Sequence, residues 1–244
     1  MASVERGMLI LEAFNHGHKE LGLAELVALT GLNKSAVQRF LHTWTTLGYL
    51  SKDPATKRFR MTPKVMSLGY NYLRSERLVE VGTPYLVEAR KRAGNSVYLG
   101  TLYETSIIYL VRLPQRVLLL EGTLPGRRIP AFCGGRAMLS RMDEAEVRAL
   151  LERSDRKPIT PYTVTGVEEN LREIEKVREK GYCVSAQEFL VGEIAVSAPV
   201  VDMHGTPRAI VYISARYSEW SEERVEAELA PIALETAAAI GAQL

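Results

Sequence analysis

The chain is poor in the residues that carry covalent, metal or redox chemistry. Its 244 residues include two cysteines, Cys133 and Cys183. Two are too few for a disulfide framework, and isolated thiols fit a reducing compartment. Of four histidines, only His16-Gly17-His18 forms a close pair. Without cysteine or acidic companions at ligand spacing, that pair reads as a solvated loop rather than a zinc site. The 18 glycines form neither a Walker nor a Rossmann pattern, so no nucleotide cofactor is expected. No Gly-x-Ser-x-Gly elbow occurs, and His204, in Met203-His204-Gly205-Thr206, reads as part of a turn. One enzymatic alternative stays open: Cys133, beside Gly134-Gly135, as a thiol at a helix start, although no histidine partner can be assigned to it. Cys183 reads as a small buried hydrophobe. No apolar run approaches the ~18 residues of a membrane helix. The start, Met1-Ala2-Ser3-Val4-Glu5-Arg6, has no basic-then-apolar export pattern, so the expected location is the cytoplasm.

What is present fits a globular protein: 46% apolar and 25% charged residues, near the average for folded domains. The length allows one large domain or two smaller ones. The net charge of +2 is unevenly spread. Residues 1–77 hold eleven Lys/Arg against six Asp/Glu, a balance of +5, and residues 78–244 hold twenty against 23, a balance of −3. A basic N-terminal unit on a mildly acidic body points to a polyanion for the first part alone; chance clustering of solvated charge is the plainer alternative.

Residues 1–62 read as a small helical domain closed by a hairpin. Apolar residues recur at helical spacing from Val4 to Phe14 and from Leu23 to Thr30. Gly31 supplies a tight turn, and Asn33 is a suitable N-cap for a third helix from Lys34 to Leu47. Val37, Phe40, Leu41, Trp44 and Leu47 form its apolar stripe, leaving Lys34, Ser35, Gln38, Arg39, His42 and Thr45 outward. Tyr49–Lys52 and Arg58–Met61 read as short strands around Asp53-Pro54-Ala55-Thr56. A helix over Lys64–Arg74 links this domain (linker 63–76) to a second one, residues 77–244. There a helix spans Arg77–Ala93, where Pro84 would introduce a bend. Strands are expected at Ser96–Tyr103, Ile107–Leu113, Arg116–Glu121, Tyr182–Ser185, Ala195–Val201 and Pro207–Ala215. A loop is expected over Gly122–Pro130, and helices at Gly134–Arg141, Glu144–Arg153, Val167–Lys180 and from Ser221 onward. Helices on an antiparallel sheet make this an α+β fold.

Two helices joined by a short glycine turn form a helix-turn-helix, whose second helix places a polar face in the major groove. Gln pairs with adenine and Arg with guanine in bidentate fashion, so Gln38 and Arg39 are the expected base readers. Lys34, Ser35, Lys57 and Arg58 are expected to hold phosphates, with Lys52 and Arg60 nearby, and His42 shares the exposed face. The hairpin makes this the winged form. An ordinary solvated surface helix is the bland alternative.

These residues resemble a known family. Ser3-Val4-Glu5-Arg6-Gly7, Leu23-Ala24-Glu25-Leu26, Thr30-Gly31-Leu32-Asn33-Lys34-Ser35, Leu47-Gly48-Tyr49-Leu50, Arg60-Met61-Thr62-Pro63 and Leu68-Gly69 are similar to the start of IclR-type (isocitrate lyase regulator) bacterial transcription factors. Val177-Arg178-Glu179-Lys180-Gly181-Tyr182 and Ala198-Pro199-Val200 continue the likeness. It implies a winged helix-turn-helix, a linker helix and a GAF/PAS-like effector domain. It also implies homodimers or homotetramers on operator DNA that control catabolic genes, more commonly as repressors, in response to a small organic acid. Carried onto this chain, the effector site comprises Phe132, Cys133 and Gly134 at a helix start, Leu119, Ser185, Ala195, Tyr212 and Ser214 on strands, and Tyr98 from the first strand. The stretch Ile129–Arg136 lacks the family's usual His. Ala195 stands where some members have Cys, and Tyr212 where some have Ser. The expectation is therefore an apolar or aromatic carboxylate, such as a hydroxybenzoate, flanked by Phe132 and Tyr212 and held by Tyr212, Ser214 and the helix N-terminus. That both aromatics are simply core is the alternative, as is a constitutive DNA-binding oligomer with a degenerate sensor.

Overall fold

A computed structural model of the chain describes residues 2–115 and 123–244, without the side chains of Ala2, Asn15 and His16. The strand expected over Arg116–Glu121, with Leu119, and the side chain of His16 in the His16/His18 pair lie outside what is described. The chain forms two compact units, residues 1–75 and 76–244.

In the first unit, α1 (Ala2–Glu12) runs into a short 3-10 turn (Ala13–His16), followed by α2 (Leu23–Thr30) and α3 (Lys34–Thr46). The turn between α2 and α3 needs Gly31, whose φ is +67° and whose N–H closes α2 on the Val27 carbonyl at 3.0 Å; a side chain would strain this left-handed backbone. Asn33 caps α3, its Oδ1 accepting from the Ala36 N–H at 2.9 Å. β1 (Leu50–Lys52) and β2 (Phe59–Met61) pair with Leu50 opposite Met61. The helical stripes meet in one core of Ile10, Phe14, Leu21, Leu26, Val37, Leu41, Leu50 and Phe59. Trp44 ties α3 to α1 by donating its indole N–H to the Gly7 carbonyl at 2.8 Å. The expected linker helix is α4 (Lys64–Ser75), which contributes no buried residue.

The second unit begins with α5 (Arg77–Ala93), one continuous helix through Pro84. β3 (Ser96–Tyr103), β4 (Ser106–Leu113), β5 (Arg128–Pro130), β6 (Cys183–Ala186), β7 (Glu193–Val201) and β8 (Pro207–Arg216) form, among the described residues, one antiparallel sheet in the order β5-β4-β3-β8-β7-β6. The register sets Tyr98 beside Tyr212 and Tyr212 beside Ser197. Alternation sends Val97, Leu99, Val211 and Ile213 to the opposite face, all fully buried. On that opposite face lie α5 and the last helix, α11 (Ala230–Gly241), which a π-turn (Val225–Leu229) joins to α10 (Glu222–Arg224). The tyrosine face is covered by α6 (Ala131–Gly134), α7 (Arg136–Leu139) and α9 (Val167–Lys180); α8 (Glu144–Arg153) packs on α9.

Two expectations need correction here. The end of the loop expected over Gly122–Pro130 is strand β5, whose three residues are too short to carry a readable alternation. The helix expected over Gly134–Arg141 starts at Ala131 and breaks at Gly135. A Cβ at Gly135 would come within 2.9 Å of the Ala131 carbonyl oxygen, so the close backbone approach there needs glycine.

Candidate nucleic-acid interface and effector pocket

On the first unit, the amphipathic pattern of α3 turns Lys34, Ser35, Gln38, Arg39 and His42 outward, and all five are exposed. Ser35, Gln38, Arg39 and His42 share one open face with Asn33 and Thr43. Across a cleft of about 310 Å³, Gln38, His42 and Thr45 face Lys52 and Lys57 of the hairpin, with Leu41 and Phe59 among its walls. The fold thus brings hairpin cations to the polar face of α3. Lys57 sits in the left-handed region, at φ +60°.

Arg58 is placed differently from expectation. Its Nη2 donates to Glu25 at 2.7 Å and to the Glu20 carbonyl at 3.0 Å. Glu25 in turn accepts from the Gly22 N–H at 2.6 Å at the start of α2. That backbone hydrogen bond first, and Arg58 second, hold the Glu25 carboxyl below its ordinary pKa. Arg58 clamps the hairpin to α2 through Nη2. The sequence shows both charges, but 33 residues separate them and only the hairpin's fold-back unites them.

In the second unit, the carried-over residues separate into two groups. Tyr98, Ala195 and Tyr212 belong to the cluster on the sheet face, with Tyr109, Met138 and Cys183. The Tyr98 and Tyr212 rings stack at 6.2 Å with an 18° tilt, and Tyr109 lies 5.1 Å and 5.8 Å from them. Phe132 and Cys133 instead pack with Leu139, Val147, Leu150, Leu151 and Ile174. Phe132 therefore does not join Tyr212 in flanking a ligand ring. It packs with residues of α8 and α9. Gly134 packs tightly beneath Tyr212, and a Cβ there would lie 3.1 Å from the ring. The expected helix start is a single turn whose Ala131 N–H donates to the Thr105 carbonyl at 3.0 Å. Ser185 is buried opposite Ala195.

Ser214 and Tyr212 meet a group that the sequence reading passed over. Tyr212 donates its hydroxyl to Glu193 Oε1 at 3.1 Å, and Ser214 donates to Oε2 at 2.8 Å. Burial raises the Glu193 pKa, against the pull of these two hydrogen bonds and of Arg127 and Arg112. Burial, followed by the Glu193 charge, pushes the Tyr212 and Tyr109 hydroxyls well above their ordinary pKa. Glu193 lines a cavity of about 200 Å³ with Ser214, Ser96 and Asn95. Starting β7 at Ala195 left it out, yet alternation puts Glu193, two residues earlier, on the same face as Ala195. A further pair was missed: Arg136, almost wholly buried, makes a bidentate ion pair with Glu188 at 2.6 Å and 2.7 Å and donates to Asn170 at 3.1 Å. Burial alone would lower the Arg136 pKa, but the Glu188 hydrogen bonds override it and raise it.

The enzymatic alternative does not survive this geometry. Burial pushes the Cys133 thiol up to about 12 and Cys183 to about 11, and both are sealed from solvent. A protonated, inaccessible thiol is not a nucleophile.

Residues 70–242 match the description of the bacterial transcriptional regulator IclR C-terminal domain, and residues 3–54 match that of the IclR helix-turn-helix domain. The chain belongs to the IclR family. It is a DNA-binding transcriptional regulator, not an enzyme. It is 32% identical to the Pca regulon regulatory protein of Pseudomonas putida over 237 residues, 96% of this chain and 81% of that one. It is 30% identical over 212 residues to the p-hydroxybenzoate hydroxylase transcriptional activator of Acinetobacter baylyi, covering 84% of this chain and 78% of that one. A crystal structure of a transcriptional regulator from Rhodococcus sp. RHA1 superposes with a TM-score of 0.79 at 32% identity, covering 99% and 97% of the two chains. As an IclR regulator, the protein has an N-terminal helix-turn-helix unit for DNA, followed by the family's C-terminal domain. No helix among the described residues is long and apolar enough to cross a membrane.

Proposed function

We propose that this IclR regulator is a repressor of a catabolic operon in the cytoplasm, released or retained on its operator by a small organic acid, with an aromatic carboxylate such as a hydroxybenzoate as the favoured class. The observation that carries the DNA reading is the polar face of α3 set across a cleft from Lys52 and Lys57. In this reading Gln38 and Arg39 read bases, while Lys34, Ser35 and Lys57 hold phosphates and His42 borders the groove. The tyrosine-walled sheet face and the relatives named for the Pca regulon and for p-hydroxybenzoate hydroxylase support the aromatic class. The effector acts through differential affinity for the DNA-competent and DNA-incompetent arrangements.

A homodimer, or a tetramer built from two, matches a palindromic operator. Exposed apolar side chains on α1 and α4, among them Val4, Met66 and Tyr70, support assembly through the first unit.

The test selects an operator from random duplexes, then titrates it with wild type and Arg39→Ala in gel shifts. Arg39→Ala is expected to relax specificity at one base pair, costing about 1–3 kcal/mol there. Unchanged specificity would remove α3 as the reader. A thermal-shift panel of aromatic and aliphatic acids then tests the sensor, since a ligand of the folded state raises its melting temperature. Silence across the panel, with operator binding intact, would leave a constitutive DNA-binding oligomer.

A further inference from the structure

Glu193 stands at the start of β7 and is half-buried, with its carboxylate turned to the hydroxyls of Tyr212 and Ser214 on β8. Each oxygen accepts one of these hydrogen bonds. A carboxylate has about four acceptor sites and no donor, so capacity remains on both oxygens. The same side chain lines the cavity of about 200 Å³, together with Asn95, Ser96, Gln115, Leu190 and Arg216. The two hydroxyls best placed to receive an effector carboxylate thus already serve a carboxylate of the chain itself. A second carboxylate placed against the charged form of Glu193 would bring like charges together in a half-buried site, a repulsion that the Arg127 and Arg112 charges offset only in part. It would also compete for donors whose removal leaves Glu193 unsatisfied. A ligand hydroxyl or amino group supplies a further N–H or O–H for the acceptor sites that remain on Glu193.

We propose that Glu193 is the specificity-determining residue of the sensor cavity, selecting effectors that present a hydrogen-bond donor to it and rejecting acids that present only acceptors. The effector's own carboxylate lies away from Glu193, and its hydroxyl or amino group points toward it. This rests on the reading of the C-terminal unit as an organic-acid sensor and narrows the ligand class within it.

The experiment uses isothermal titration calorimetry on the full chain with matched acids that differ by one hydroxyl: 4-hydroxybenzoate against benzoate, 4-hydroxyphenylacetate against phenylacetate, and lactate against propionate. Wild type is expected to bind the hydroxylated member of at least one pair roughly 10- to 100-fold more tightly, the range for a hydrogen bond to a charged group. Glu193→Leu is expected to bring that ratio below about threefold, whereas Glu193→Gln, which keeps one acceptor oxygen, falls between. Melting curves and operator gel shifts verify that each variant is folded, and the Gln variant carries the test if the Leu variant is not. The inference is overturned if wild type binds both members of every pair equally, if the ratio survives in the variants, or if no hydroxylated acid binds. In that last case retained operator binding leaves the regulator reading standing, whereas wild type that fails to select any operator would sink the regulator reading itself.

Discussion

Burial raises the pKa of Glu193 in the folded chain, so the native state holds this proton at pH values where the unfolded chain has released it. Its contribution to stability is therefore fully present below the unfolded pKa and is lost as pH rises through the folded one. Glu193→Gln removes the titration while keeping the shape. In urea melts from pH 4 to pH 8, the stability of wild type relative to this variant is expected to fall as pH rises. A flat difference would mean that the carboxyl is not desolvated. Carboxyls held in their charged form, such as Asp202, held first by the Thr206 N–H, give the opposite slope, but they are common to both proteins and cancel. Arg136 and Glu188 present the other buried charge problem. Removing Glu188 leaves a guanidinium sealed in the core without its anion, so Glu188→Ala is expected to cost about 3–5 kcal/mol. For a unit of this size that lowers the melting temperature by roughly 6–20 °C. A loss of only a degree or two would show that water reaches Arg136.

At the scale of elements, the hairpin divides its cations by geometry. Lys57 faces the cleft beside α3, while Arg58, one residue on, turns back to Glu25 at the start of α2. Lys57→Ala is expected to weaken binding to all duplexes and to reduce the slope of log affinity against log salt by about one. Arg58→Ala is expected to leave that slope alone and to lower the melting temperature of the first unit, because the hairpin loses its tie to α2. Equal loss of slope in both variants would restore Arg58 to the phosphate contacts. The helices α2 and α3 were legible because Gly31, Asn33 and the Val37–Leu41–Trp44 stripe all signal the same boundaries. β5 and the break at Gly135 were not legible, because three-residue pieces are shorter than either period.

At the scale of the whole molecule, α4 buries none of its residues, and Met66 and Tyr70, one turn apart, are 73% and 63% exposed. A helix with an unpartnered apolar stripe is a surface for association. On the proposed homodimer, replacing both by Ser is expected to reduce the mass in sedimentation velocity and to weaken operator binding, since two half-sites need two linked readers. An unchanged mass would place the assembly contact elsewhere. In the proposed sensor, whatever factor the effector imposes on DNA affinity, the operator imposes on effector affinity.

The sequence by itself determined the class of this protein. Local signals, a glycine turn, an N-cap, a helical stripe and alternating strands, encode the two units, and they act between residues a few positions apart. The same locality exposed the polar face of α3. Only the tertiary structure decided which polar groups meet. Glu25 and Arg58, Arg136 and Glu188, and Glu193 with Tyr212 and Ser214 are each brought together across 19 to 52 residues of chain. Pairing at such distance depends on sheet order and register, which alternation alone does not fix. The same folding decision sent Phe132 to one core and Tyr212 to another, and set a carboxylate where the sequence had promised room for one from outside.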